Sequence, residues 1–225
     1  MEKDRFFSFL KRVCWVYFRF AYKISVEGEE NIPTEGAVII ASNHPTYFDP
    51  LLLHLRSPRK IRFLAWDLLF KLPVISLFLR YFGAIPVNPD ISPNPGAYKR
   101  SLEVLRSGGA LGIFPEGGRT PLEEVRLGSF RSGFARLALL TGASVVPVAI
   151  VGAERVWPRF WRFPRFFGKI TVVFHPPLQV ERSAVGEVPR SEMKRLTRQV
   201  WGIIYGALVR AEGGKGRRGE GMYSF

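Results

Sequence analysis

The sequence predicts an α/β fold: a mixed, mostly parallel central sheet flanked by helices, preceded by an N-terminal amphipathic helical segment suited to a membrane interface. Three observations carry this expectation. Short apolar runs at Ala37 to Ala41, Ala110 to Phe114 and Ser144 to Val151 have the composition of strands covered on both faces. Stretches of helical periodicity alternate with them, the order that builds a sheet between helices. The 225 residues, 47% hydrophobic, suffice for one domain with a sizeable core. The expected division is a membrane-associated helical segment over residues 1–27, a domain over 28–212, and a Gly- and Arg-rich tail over 213–225 whose composition reads as disordered.

Each element follows from its residues. From Asp4 to Ile24, apolar side chains recur at helical spacing, and at about 100° per residue the cations Arg5, Lys11, Arg12, Arg19 and Lys23 fall within an arc of roughly 120°. A basic arc opposite an aromatic face suits a helix in a bilayer interface; a helix docked on its own domain is the plainer alternative. Asn31 to Gly36 is a turn, Ala37 to Ala41 a buried strand ending at Ser42-Asn43-His44, and Asp49 to Arg56 a helix. Arg62 to Phe82 reads as two short helices meeting at Pro73, packing the core or lining an acyl-chain groove. Gly83 to Val87 is a short strand, followed by a Pro-rich loop, a helix from Ala97 to Arg106 and the strand Ala110 to Phe114. Phe130-Arg131-Ser132-Gly133 opens a helix to Leu140, and Ser144 to Val151 is a strand containing Pro147. Arg155 to Lys169 holds five basic residues, six aromatic ones and no acid, and Pro158 and Pro164 exclude a regular helix. Such a loop suits either stacked bases of a single-stranded nucleic acid or a bilayer surface. Lys169 to Phe174 is a strand, His175 between it and two prolines has a structural role, and Ser191 to Ala211 closes the domain as a helix.

Lys and Arg total 33 against 19 acidic residues, a formal charge of +14, which calls for an anionic partner. The 19 phenylalanines and the 14% aromatic content favour a membrane surface with anionic lipids over nucleic acid, which is not expected as a partner. Cys14 is the only cysteine, so no internal disulfide forms, in keeping with a reducing compartment. The longest uncharged run, Leu137 to Ala153, is divided by Thr141-Gly142 and Pro147 into a helix end and a strand, so no transmembrane helix is expected. No signal peptide is evident. The expected location is peripheral, at the cytoplasmic face of a membrane.

Two polar motifs stand at strand ends, where ligands bind in open α/β sheets. In Asn43-His44-Pro45-Thr46-Tyr47-Phe48-Asp49, a carboxylate follows an imidazole by five positions. A carboxylate bonded to one ring nitrogen fixes the tautomer and makes the other nitrogen a better base, the minimum needed to activate a hydroxyl. In Pro115-Glu116-Gly117-Gly118-Arg119-Thr120, two glycines allow close backbone approach to a ligand, and Arg119 offers bidentate contacts to a phosphate. Either motif alone also fits a plainer role, as a helix cap or a surface ion pair.

Together they resemble the lysophosphatidic acid acyltransferase branch of the glycerolipid acyltransferases, a family with four ordered motifs. NHPTYFD (43–49) matches the first, GAIPV (83–87) part of the second, FPEGGRT (114–120) the third and VVPVAI (145–150) the fourth. The resemblance covers roughly Ile24 to Leu178 and implies a glycerolphosphate acyltransferase-like sheet. It also implies transfer of a fatty acyl group from acyl-CoA or acyl-carrier protein to the hydroxyl of a lysophospholipid, lysophosphatidic acid, yielding phosphatidic acid. Under it, His44 is the base held by Asp49; Asn43, Glu116, Gly117, Gly118, Arg119, Thr120 and Arg131 bind substrate; and Gly83 and Pro147 have acyl-chain or structural roles. No cofactor and no metal is implied, the thioester being a co-substrate. The second motif usually ends in Arg where this chain has Pro89, and Arg131 stands where a Lys is common. Phosphate binding therefore falls to Arg119 and Arg131, and glycerol 3-phosphate or another lysolipid stays open as acceptor. A non-catalytic basic membrane or nucleic-acid binding protein is the alternative of another class.

Overall fold

A computed structural model describes residues 2–88, 91, 93–120, 127–158, 161–183 and 188–212. Pro89 and the tail from residue 213 lie outside the described residues. The elements are α1 (Glu2–Ala21), β1 (Ser25–Glu27), β2 (Val38–Ser42), α2 (Asp49–Leu55), β3 (Ile61–Trp66), α3 (Pro73–Phe82), β4 (Ile85–Val87), α4 (Pro95–Arg106), β5 (Ala110–Ile113), α5 (Gly133–Thr141), β6 (Ser144–Val151), α6 (Ala153–Val156), β7 (Thr171–Phe174) and α7 (Arg190–Glu212). Short 3-10 turns occupy Glu29–Asn31 and Asp67–Lys71.

The seven strands form one sheet in the order β1-β7-β6-β2-β5-β3-β4. The five strands from β6 to β4 are mutually parallel, while β7 runs antiparallel to β6 and carries β1 parallel to itself. β2 is central and wholly buried, because helices cover both faces of the sheet. Its alternate residues part accordingly. Val38 and Ile40 join Phe18 of α1, Tyr22 just beyond it, and Leu52 and Leu53 of α2. Ile39 and Ala41 join Leu105 of α4, Phe134 and Ala138 of α5, and Val200 and Ile204 of α7.

Two expectations need correction. Ile61–Trp66 is a strand, not the first of two helices. Ile61 and Phe63 are buried while Arg62 and Leu64 are half-covered, so the period of two is present. Apolar residues on both faces concealed it in the sequence. Pro73 does open the helix α3 expected beyond it, and Gly83, at φ 67°, ends that helix in the left-handed conformation.

The N-terminal segment also ends inside the domain rather than beside it. Phe18, Tyr22 and Ile24 are core residues, and β1 pairs with β7 from Ser25 to Glu27. Lys23, at φ 43°, turns the chain out of α1 and into the sheet. At about 100° per residue, Cys14, Trp15, Phe18 and Ala21 form the docked side of α1, which Tyr22 continues just past its end. Phe9, Val13, Val16 and Phe20 fall on the opposite side and remain exposed. Among the described residues, no helix is long and apolar enough to cross a membrane.

Candidate functional site

The two polar motifs lie at the carboxyl ends of the adjacent strands β2 and β5, which the fold pairs from Val38–Ala110 to Ala41–Ile113. Neighbouring strands put the loop after Ser42 beside the loop after Ile113, although about 70 residues separate them in the chain. His44 Nδ1 lies 2.7 Å from Asp49 Oδ2, with Asp49 fully buried and the His44 side chain 17% exposed. An ionised carboxylate only accepts, so Nδ1 carries the proton and Nε2 holds the basic lone pair. Asp49 is fixed in turn by Thr46, whose N–H donates to Oδ2 (2.8 Å) and whose hydroxyl donates to Oδ1 (2.6 Å). Asp49 is also the first residue of α2, where a helix favours negative charge.

The imidazole is supported from below by rings. His44 stacks on Phe114 at 4.0 Å between centroids, and Phe114 stacks on Phe63 at 5.5 Å, with interplanar angles of 14° and 16°. Gly112 makes room for this column: a Cβ there would lie 2.1 Å from the Phe63 ring. Phe63 of β3 and Phe114, just after β5, thus carry the imidazole of His44, which follows β2.

Asn43 and Glu116, expected to meet substrate, also make hydrogen bonds within the protein. Asn43 Nδ2 donates to Ile150 O (2.9 Å) and its Oδ1 accepts from Ile150 N–H (2.8 Å), so the side chain pins the His44 loop to β6. Glu116 Oε1 accepts the backbone N–H of His44 at 2.9 Å. Its Oε2 accepts from the Thr120 hydroxyl and the Gly128 N–H, each at 2.9 Å. Thr120 N–H donates to His44 O (3.1 Å), which completes a clamp between the two motif loops. Thr120 therefore belongs to the clamp.

Gly117 and Gly118 are exposed at the edge of this clamp, and around the Gly118 Cα there is open space. Gly117 has φ 76°, and the Arg131 guanidinium lies where a Cβ would project, 2.8 Å away. The Arg119 guanidinium lies 3.9 Å from the centre of the Tyr47 ring, a side chain of the His44 loop. Arg131 thus lies beside Gly117, and Arg119 beside the His44 loop. Pro147 lies within β6, paired with Ala41, and its carbonyl accepts the His175 N–H at 2.9 Å, a structural position. Gly83 ends α3 beside the Arg62 side chain. Among the described residues, no group of three or more His, Cys, Asp or Glu is placed to hold a metal ion.

Sequence reasoning missed Thr46, Phe114 and Gly128, which touch Asp49, His44 and Glu116. Thr46 had a local signal, a hydroxyl residue three positions before a helix-initiating Asp. Phe114 stands in the FPEGGRT motif, but its stacking between His44 and Phe63, like the bond from Gly128 to Glu116, had no signal, because the partners are distant in the chain.

The chain matches the family described as Acyltransferase over residues 23–151. The chloroplastic 1-acyl-sn-glycerol-3-phosphate acyltransferase of Arabidopsis thaliana is 30% identical over 166 residues, which are 73% of this chain and 46% of that protein. The 1-acyl-sn-glycerol-3-phosphate acyltransferase of Bacillus subtilis is 30% identical over 156 residues, 69% of this chain and 73% of that protein. The chain spans about half the length of the plant relatives it matches. The crystal structure of a 1-acyl-sn-glycerophosphate acyltransferase from Thermotoga maritima superposes with a TM-score of 0.71 at 26% identity, covering 93% of this chain and 78% of that one.

Proposed function

This chain belongs to the acyltransferase family, and from that premise we propose that it transfers a fatty acyl group from the thioester of acyl-CoA or acyl-carrier protein to the free hydroxyl of lysophosphatidic acid, releasing phosphatidic acid and a thiol. The observation that carries the proposal is the His44–Asp49 pair, its carboxylate buried, with Nδ1 bonded to the carboxylate and Nε2 turned away from it as the base. Nε2 takes the acceptor's hydroxyl proton as its oxygen attacks the thioester carbonyl. The resulting oxyanion collapses, the carbon–sulfur bond breaks, and the proton passes from His44 to the departing thiolate. Asp49 balances the imidazolium between these two transfers. No acyl-enzyme is required.

Arg119 and Arg131 flank the exposed glycines and supply positive charge for the acceptor phosphate. Glu116 and Asn43 serve the reaction by fixing the His44 loop, and Thr120 through the same clamp. Membrane association is part of the proposal. It is supported by the exposed stripe of Phe9, Val13, Val16 and Phe20 on α1, opposite the docked side, with Arg12 and Arg19 exposed alongside.

The test is His44→Ala in an assay with labelled acyl-CoA or acyl-carrier protein and lysophosphatidic acid. Turnover is lost while the circular dichroism and vesicle sedimentation stay those of the parent. A mutant that still turns over would refute the assignment of the base.

A further inference from the structure

Among the described residues, every large hydrophobic side chain left exposed lies on α1, at Trp66 (the last residue of β3), or on the segments that follow β2, β3, β4 and β6. Those four strands are parallel and point the same way, so the segments after them leave the end of the sheet that holds His44. β1 and β7 begin at that end too, since Val151 at the end of β6 pairs with Thr171 and Thr171 with Ser25. The C-terminal end of α1 therefore meets the segment after β6, where the Gly168 N–H approaches Ala21 O at 3.4 Å.

In that segment Phe163, Phe166 and Phe167 are 69%, 81% and 78% exposed. Loose backbone does not account for their exposure. The Arg165 N–H donates to Val156 O at 2.8 Å, the Trp161 N–H to Pro158 O at 3.0 Å, and Trp157 Nε1–H to Trp161 O at 3.0 Å. Trp157 then packs on Tyr47 and Phe48, which stand between His44 and Asp49 in the chain. The backbone is tied down on the catalytic side while the phenylalanines point to solvent. Arg162, Arg165 and Lys169 are exposed among them, and no acidic residue occurs from 155 to 180.

We propose that residues 161–167 form a second membrane-insertion element, with Phe163, Phe166 and Phe167 entering the interface of a bilayer containing anionic phospholipid beside the C-terminal end of α1. The inference rests on the membrane association proposed above and adds where the bilayer meets the protein. Aromatic rings carried on a hydrogen-bonded backbone and bordered by cations match that layer, where rings sit among upper acyl chains and cations meet phosphates. The meeting of this segment with the C-terminal end of α1, between Gly168 and Ala21, favours a bilayer over a nucleic-acid strand. Insertion there brings the lipid surface to the Tyr47 side of the site, so a lysolipid reaches His44 without crossing water.

Cys14 is the only cysteine, so C14A supports single-site labelling. In that background, Phe166→Cys carries an environment-sensitive fluorophore, and Ser107→Cys, exposed just before β5 at the opposite end of the sheet, is the control. With vesicles of phosphatidylcholine and phosphatidylglycerol, the label at 166 brightens and shifts to shorter wavelength, while the label at 107 does not. A label at 166 that stays in water while the protein sediments with the vesicles overturns this proposal and leaves membrane association standing. No sedimentation overturns both. Equal responses at 166 and 107, or a response to oligothymidylate and not to vesicles, overturns the insertion element.

Discussion

Replacing Asp49 by Asn separates the charge of this residue from its geometry. Asp49 Oδ2 accepts from His44 Nδ1–H and Thr46 N–H, and Oδ1 accepts from the Thr46 hydroxyl. An asparagine keeps its carbonyl oxygen at the Oδ2 position, so both N–H donors retain their acceptor. Its amide nitrogen then occupies the Oδ1 position, and the Thr46 hydroxyl, which can rotate, accepts where it formerly donated. The fold and the His44 tautomer survive. What is lost is the negative charge facing the imidazolium formed during proton transfer. With 2.7 Å between nitrogen and oxygen, the two charge centres lie about 4 Å apart, and at an effective dielectric near 20 they attract by about 4 kcal/mol. That corresponds to about three powers of ten in kcat. The assay is acyl transfer to lysophosphatidic acid at saturating substrates, alongside thermal unfolding to verify the fold. A folded Asp49→Asn protein within about tenfold of the parent, a barrier change below about 1.4 kcal/mol, would refute the claim that this carboxylate stabilises a charged His44.

Glu116→Gln replaces one carboxylate oxygen by a donor, so at least one of the His44 N–H and Gly128 N–H groups loses its acceptor. The expected cost is about 1–3 kcal/mol of stability, with kcat falling and acceptor KM little changed; a raised KM alone would mean that Glu116 binds substrate. In Gly112→Ala, the new Cβ meets the Phe63 ring at 2.1 Å and displaces the column beneath His44. Overpacking of this kind costs about 1–3 kcal/mol, read by denaturant unfolding. An unchanged unfolding midpoint would show that the column yields freely. Burial, with a smaller contribution from Arg210, holds the His175 imidazole below its ordinary value of 6.5. The unfolded chain therefore binds more protons than the folded one just below pH 6.5, so stability declines as pH falls through that value. His175→Gln flattens that part of the stability–pH curve; an identical curve would assign the loss to other groups.

The difference between what was legible and what was not follows sequence distance. β2, β5 and β6 were legible because strands covered on both faces are written as apolar runs, and α7 because its periodicity extends over many turns. β1 was not: three residues, Ser25–Glu27, carry no pattern, and their strand exists only because β7 is alongside. The His44–Asp49 pair was legible since five positions and a helix start bring the two side chains together locally. The bonds that Asn43 and Glu116 make within the protein were not legible, because their partners are 107 and 72 residues away in sequence.

By itself, the sequence determined the class of fold, the chemical pair of base and carboxylate, the glycine–arginine loop, and a basic, phenylalanine-rich character. These depend on residue type and short-range spacing, which folding preserves. Only the tertiary structure decided that Glu116 clamps the two loops, that Phe63 and Phe114 support the imidazole, and that α1 docks one side while exposing the other. Each of these depends on which strands become neighbours. That choice is made by packing two apolar faces of a sheet at once, and no single stretch of the chain contains it.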